Sequence, residues 1–418
     1  MMETNELLLR KDVPVELTWD LSLIYENTEA MESDIAKLKK LRAQMVEEYQ
    51  GKLNSAKRIN DCLDDYRELN RLVSLIGHYS QLAVEVDYYN SENQNRYDET
   101  NRMIAETFSV LSFIESEIVE QDEVTLKEAI AMAKENKVFL EDILKSKPHK
   151  LHPEVERVLV AIDPTIQTPY MVYNVAKLAD MKFEPFTVDG VEYPLGYSLF
   201  EDDYEYDPRT NVRRAAFEAF SKKIKEYENV TATAYNAYVQ HDKTMSNLRG
   251  FKNVFDSLLF SQKVSIEMYH RQIDLIMEKL APHMRKYAKL IQKTHHLDKM
   301  TYADLKLPID TEYDPKVTIE GSKEYIEKGL AILGEDYVQM IQTAYKERWI
   351  DFAKNQGKST GGFCATPYGK NSYILMSWND RMSDVFTLAH ELGRGRCTHL
   401  GMRKPKANVQ GTPCVSLG

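Results

Sequence analysis

Apolar residues return every three or four positions in stretch after stretch of this chain, and that spacing commits it to a mainly helical fold. After Asn27-Thr28, Ile35, Leu38, Leu41, Met45 and Tyr49 mark one face of a helix, and Gly51 comes next as a stop. The spacing repeats over 55–85, 91–120, 124–146 and 153–162. These segments are rich in Glu, Lys, Arg and Leu, which lose little rotamer freedom in a helix. It resumes over 212–248, 266–294 and 322–344. The first half is therefore predicted to be an up-and-down helical array. The period changes at 183–193, where Phe-Thr-Val, Asp189-Gly190 and Val-Glu-Tyr predict a hairpin, because Asp-Gly suits the positive φ angles of a type I′ turn. Residues 302–317, with Pro308 and Pro315, read as a connecting loop.

A chain of 418 residues that is 43% apolar and 28% charged can bury a large core and stay in solution. Its net charge of −11 argues against nucleic acid, which needs clustered Lys and Arg. Cys62, Cys364, Cys397 and Cys414 are scattered, without metal-ligand or thioredoxin spacing, so no disulfide scaffold is predicted and a reducing cytoplasm is expected. The first apolar run, Leu7 to Leu9, is too short for a signal peptide. No stretch approaches the ~20 apolar residues of a membrane span.

The chemistry lies near the end. In SDVFTLAHELGR, Val385, Leu388, Ala389 and Leu392 fall at i, i+3, i+4 and i+7, a buried helical face. Phe386, His390 and Arg394 fall on another face at steps of four. Asp380 or Ser383 is the expected cap of this helix. A zinc helix of the His-Glu-x-x-His kind presents two histidines four apart to one ion, and the Glu activates the metal-bound water. His390-Glu391 is present here, but position 394 is arginine, which stays protonated and has no lone pair to donate. Taken alone, the segment is therefore not a zinc motif and reads as a His-Glu pair on a solvated helical face.

The wider segment GGFCATPYGKNSYILMSWNDRMSDVFTLAHELG resembles the approach to the zinc helix in the M3 peptidases, oligoendopeptidase F branch. TWDLSLIY at 18–25, YEYDPRTNVRRAAFEAF at 204–220 and FDSLLF at 255–260 resemble the opening and middle of the same family. The resemblance implies a multi-helical, zincin-like oligopeptidase with a small sheet bordering a deep cleft. It implies a helical region over 1–200, including the hairpin, and a catalytic domain over 201–393. The implied activity is a metalloendopeptidase that hydrolyses short peptides with one zinc ion. Glu391 matches the general base and His390 the first zinc ligand, while Arg394 stands where the second ligand is expected. A third ligand, a glutamate some two dozen residues on, has no counterpart, since no acid follows Glu391. Gly361 and Gly362 match the family's turn. Tyr373, Ile374, Leu375 and Met376 match the edge strand expected to pair with substrate backbone.

Residues 392–418 differ from the rest. They hold five Lys or Arg and no Asp or Glu, against 54 and 65 in the whole chain, and five of the seventeen glycines. Gly393, Gly395, Gly401 and Pro405 argue against helix, so 394–418 is expected to be an aberrant, disordered tail. A shifted reading frame would explain it, since the codons of residues 396–399, read two bases later, can encode Met-His-Ser, which the family often carries at this place; the alternative is a natural truncated paralogue with a different tail. On that account zinc binding and hydrolysis are lost, Val385, Leu388 and Leu392 are expected to be exposed for want of later helices, and the alternative function is a peptide-binding remnant or helical scaffold.

Overall fold

The computed structural model describes residues 8–403, apart from 167, 198, 311, 312, 314 and 360. Six helices come first: α1 (Thr28–Tyr49), α2 (Ala56–Glu85), α3 (Ser91–Val110), α4 (Phe113–Glu120), α5 (Glu123–Met132) and α6 (Lys137–Ser146). After α7 (Pro153–Ile166) and α8 (Thr168–Val175) come strands β1 (Phe186–Val188) and β2 (Val191–Tyr193). Next are α9 (Thr210–Glu226), α10 (Glu228–Leu248), α11 (Val254–Phe260), α12 (Ile266–Leu275) and α13 (Ala281–Thr294). The last stretch holds α14 (Ile319–Leu330), α15 (Glu335–Lys346), β3 (Ile350–Asp351), β4 (Phe363–Ala365), β5 (Tyr373–Leu375) and α16 (Met382–Arg403). The predicted mainly helical fold is what the structure has. Predicted single helices over 91–120, 124–146 and 322–344 are each divided in two, the last by Gly334 at φ +102.

The chain forms two compact units, Met1–Lys147 with Asp314–Gly418, and Pro148–Tyr313. They cut across the division expected at residue 200, because α7, α8 and the hairpin group with α9 to α13 rather than with α1 to α6.

In the first unit, side-chain oxygens cap the helices: Asn27 accepts from Ala30 N at 2.9 Å, and Ser55 caps α2. One apolar cluster, with Ile59, Leu63, Leu69, Ile118, Leu126 and Leu140, packs α2 against α4, α5 and α6. A second joins Trp19, Met31, Leu38 and Ile76 to Tyr373 and Leu375 of β5. A third joins Ile374 and Met376 to Val317, Ile341, Val385, Leu388 and Leu392. Successive side chains of a strand point to opposite faces, so β5 serves both clusters at once. Val385, Leu388 and Leu392 are thus buried, not exposed as expected, because α14, α15 and β5 already cover that face of α16.

Residues 9–20 are fastened to the sheet. Phe352 N donates to Leu17 O at 2.9 Å and Asp20 N to Arg348 O at 2.8 Å. The buried Asp351 accepts from Arg10 Nη1 at 3.0 Å, Lys358 Nζ at 2.6 Å and Trp19 N at 3.2 Å. Burial pulls the Lys358 ammonium below its usual pKa, against the pull of Asp351.

The second unit contains the predicted hairpin. Asp189 and Gly190 have φ of 51° and 79°, as a type I′ turn requires, and Phe186 pairs with Tyr193. Its apolar cluster is aromatic, built on Phe186, Phe200, Tyr204 and Phe220 with Val212 and Ala216. Beyond that cluster, His149 stacks on Phe251, and ion pairs add ties. Arg213 and Arg214 both donate to the buried Asp304, which also accepts from Thr301 N and Oγ1. Arg249, the C-cap residue of α10, grips Glu156 of α7 in a fork, at 2.7 and 2.9 Å.

Candidate functional site

The candidate site lies in the first unit, where α16 packs on β4 and β5. Asp384, rather than the predicted Asp380 or Ser383, organises the start of α16: its Oδ2 accepts from Asn379 N at 2.8 Å and Arg381 N at 3.0 Å. Asp380, at φ 57°, accepts instead from Trp378 Nε1.

α16 turns about 100° per residue, which sends its functional positions in different directions. Phe386 and His390 face outward and are exposed. Glu391 points inward and is only 4% exposed. Leu388, Glu391, Leu392 and Gly395 fall at i, i+3, i+4 and i+7, so the glutamate lies within the stripe that packs on the sheet. Arg394 bends back to it, with Nη1 3.4 Å from Oε1 and 3.3 Å from Oε2. Oε2 is buried and accepts no hydrogen bond among the described residues. Cys364 of β4 lies nearby; burial, with the Glu391 charge adding to it, pushes its thiol up to about 11, which leaves it a poor nucleophile.

α16 does not end at Gly393, as expected, but runs to Arg403. Helical glycine costs about 1 kcal/mol relative to alanine, and the docked first half of α16 carries that cost. At Gly395 there is also no room for a side chain: an added Cβ would lie 2.6 Å from Ser372 Oγ and 2.9 Å from Ser372 Cβ. The remainder of the predicted tail, 404–418, lies outside the described residues.

The predicted substrate strand is corrected. Tyr373, Ile374, Leu375 and Met376 do not form an edge: β5 is the central strand, parallel to β3 and antiparallel to β4. All four residues are buried. Ile374 N and Met376 N donate to Trp349 O and Asp351 O, so Leu375 between them turns its amide toward β4. The signal was present in the sequence, since four apolar residues in a row mark a strand covered on both faces. The edge belongs to β4, where the backbone of Cys364 faces away from β5. Gly361 leads into it at φ 84°, and a Cβ on Gly362 would lie 3.3 Å from Leu375 O.

The profile of Peptidase family M3 matches residues 204–415, half of the chain. The chain belongs to that family. A second profile of this M3 chain, that of Oligopeptidase F, matches residues 117–183. The M3 match crosses Gly393 without stopping. Oligopeptidase PepF of Bacillus subtilis is 29% identical over 94% of this chain and 59% of its own length. An oligoendopeptidase F homolog of Borreliella burgdorferi is 25% identical over 95% of the chain and 67% of its own. The chain thus spans about three-fifths to two-thirds of these relatives. In fold, it superposes on a candidate peptidase from Chlamydophila abortus with a TM-score of 0.82 at 18% identity, covering 95% of this chain and 67% of that one. The score for oligoendopeptidase-F of Enterococcus faecium is 0.56 at 18% identity, over 76% and 60%.

M3 peptidases are zinc metallopeptidases, and the described residues of this M3 chain do not fit the ion. No group of three or more His, Cys, Asp or Glu among them could hold a metal. His390 looks to solvent, Glu391 looks to the sheet, and Arg394 sets a fixed positive charge against Glu391. No membrane-crossing helix occurs among the described residues either: none is long and apolar enough.

Proposed function

We propose that this chain is an oligoendopeptidase F-type member of the M3 family that binds peptides but does not hydrolyse them with zinc. One observation carries the second half of this reading: Arg394 occupies the second ligand position and pairs with Glu391. A guanidinium repels a divalent cation and offers it no lone pair. The same pair occupies the carboxylate that hydrolysis would need as its base. In the named relatives the activity is oligopeptide hydrolysis by name, and the likeness to them supports short peptides as the ligand class.

The first half of the reading rests on β4. Its outer edge, at Cys364 with Gly361 and Gly362 before it, takes the role first assigned to residues 373–376. An extended peptide adds there as a fourth strand, bonded through its backbone.

The test uses quenched fluorescent peptides of several lengths, with zinc content measured on the same sample. Slow or no cleavage that a chelator leaves unchanged, substoichiometric zinc, and a rise in peptide anisotropy on binding are the expected results. Chelator-sensitive turnover overturns the reading.

A further inference from the structure

Glu391 is buried beneath the docked face of α16, only 4% exposed. A carboxylate in the middle of a packing stripe, between Leu388 and Leu392 and above β4, cannot be hydrated from bulk water. Left alone there, it would destabilise the fold severely. Among the described residues, the only cation within 4 Å of it is Arg394. We propose that the Arg394 guanidinium is the resident cation of this site, the counter-ion that keeps the buried carboxylate charged. Glu391 thereby becomes an anchor that holds α16 on the sheet rather than a general base.

Three features support this. Glu391 and Arg394 are three apart, a spacing at which helical side chains meet. The Arg394 side chain is largely covered, at 19% exposure, although a free arginine on this face would extend into water as Phe386 and His390 do. One turn further, Gly395 lets the helix backbone close onto Ser372 and Cys364. That approach brings Glu391 close to the sheet and deprives it of water, which makes a counter-ion necessary. The inference rests on the reading above, that α16 holds no zinc, but its readout is stability and not turnover.

The experiment is a double-mutant cycle on the full chain, with Arg394→Gln, Glu391→Gln and the pair together, melted with and without added zinc. Removing one side of a buried pair is expected to lower the melting temperature by on the order of 5 °C or more for Arg394→Gln. The double variant is expected to recover most of that loss, because no charge is then left buried alone. If Arg394→Gln does not fold, recovery of a folded double variant carries the same information. Additive losses, or a wild-type melting temperature that zinc raises, overturn the inference. Absent coupling together with absent hydrolysis sinks the anchor and leaves the functional reading standing; chelator-sensitive hydrolysis sinks that reading whatever the cycle shows.

Discussion

Among the described residues, the unit Pro148–Tyr313 has one apolar cluster, around Phe186, Phe200 and Phe220, and two carboxylates locked by arginines, Asp304 and Glu156. The unit formed by Met1–Lys147 and Asp314–Gly418 has the other three clusters, and its buried Asp351 sits on a sheet already packed on both faces. In the first case charge pairs tie α9 to residues 301–304 and the end of α10 to α7, while apolar side chains elsewhere in the unit, such as Met277, Leu280 and Met284, remain exposed. In the second they trim a structure held by hydrophobic burial. Burial is insensitive to pH and to single charges; ion pairs are sensitive to both. The two units should therefore fail under different stresses. All three tryptophans, Trp19, Trp349 and Trp378, lie in the first unit, so their fluorescence reports that unit alone, while far-UV circular dichroism reports both.

The largest effect is expected from Asp304→Asn, which strands Arg213 and Arg214 against a neutral partner. It should cost Pro148–Tyr313 about 3–5 kcal/mol, with circular dichroism lost before tryptophan fluorescence changes. Coincident transitions would break the comparison. Leu63→Ala removes a side chain of the largest cluster and should cost about 2–5 kcal/mol. Here the fluorescence midpoint in denaturant should fall.

Acid should separate the units next. Burial raises the Asp304 carboxyl, but its bonds to Thr301, Arg214 and Arg213 outweigh this and hold it down to about 2. The fork with Arg249 lowers Glu156 to about 2 as well. Both values are depressed on folding, so the stability they supply is present above the ordinary carboxylate range and is lost as pH falls toward 2. Hydrogen exchange in α7, α9 and α10 should accelerate over that window before exchange in α2 does. The smallest effect is expected from Gly395→Ala. Overpacking against Ser372 costs about 1–3 kcal/mol, offset in part by about 1 kcal/mol of helix propensity, so a slight drop in the fluorescence midpoint is the expected result.

The helices and the hairpin were legible because their signals are local. Spacing of apolar residues sets a helical face, and Asp189-Gly190 supplies its own turn. The illegible parts depend on distant partners. The role of β5 comes from β3 and β4 lying on either side, and residue types on one strand do not reveal its neighbours. Gly395 reads as a helix breaker in the sequence, where nothing shows that the backbone there packs against Ser372. At the candidate site, His390, Glu391 and Arg394 could be picked out by motif. Their directions could not, since the inward turn of Glu391 depends on which face of α16 the sheet covers.

The attachment of residues 9–20 to the strand at 350–352 also has a consequence in time. Arg10 and Asp351 are separated by 341 positions. On a ribosome adding roughly 5–20 residues per second, the first segment emerges and then waits on the order of tens of seconds for its partner. Pro148–Tyr313, contiguous in sequence, can complete itself in that interval. Residues 9–20 are thus made long before the strand that fixes them, and a nascent chain stalled before β3 would leave Trp19 without the aromatic neighbours Phe363 and Tyr373 that enclose it.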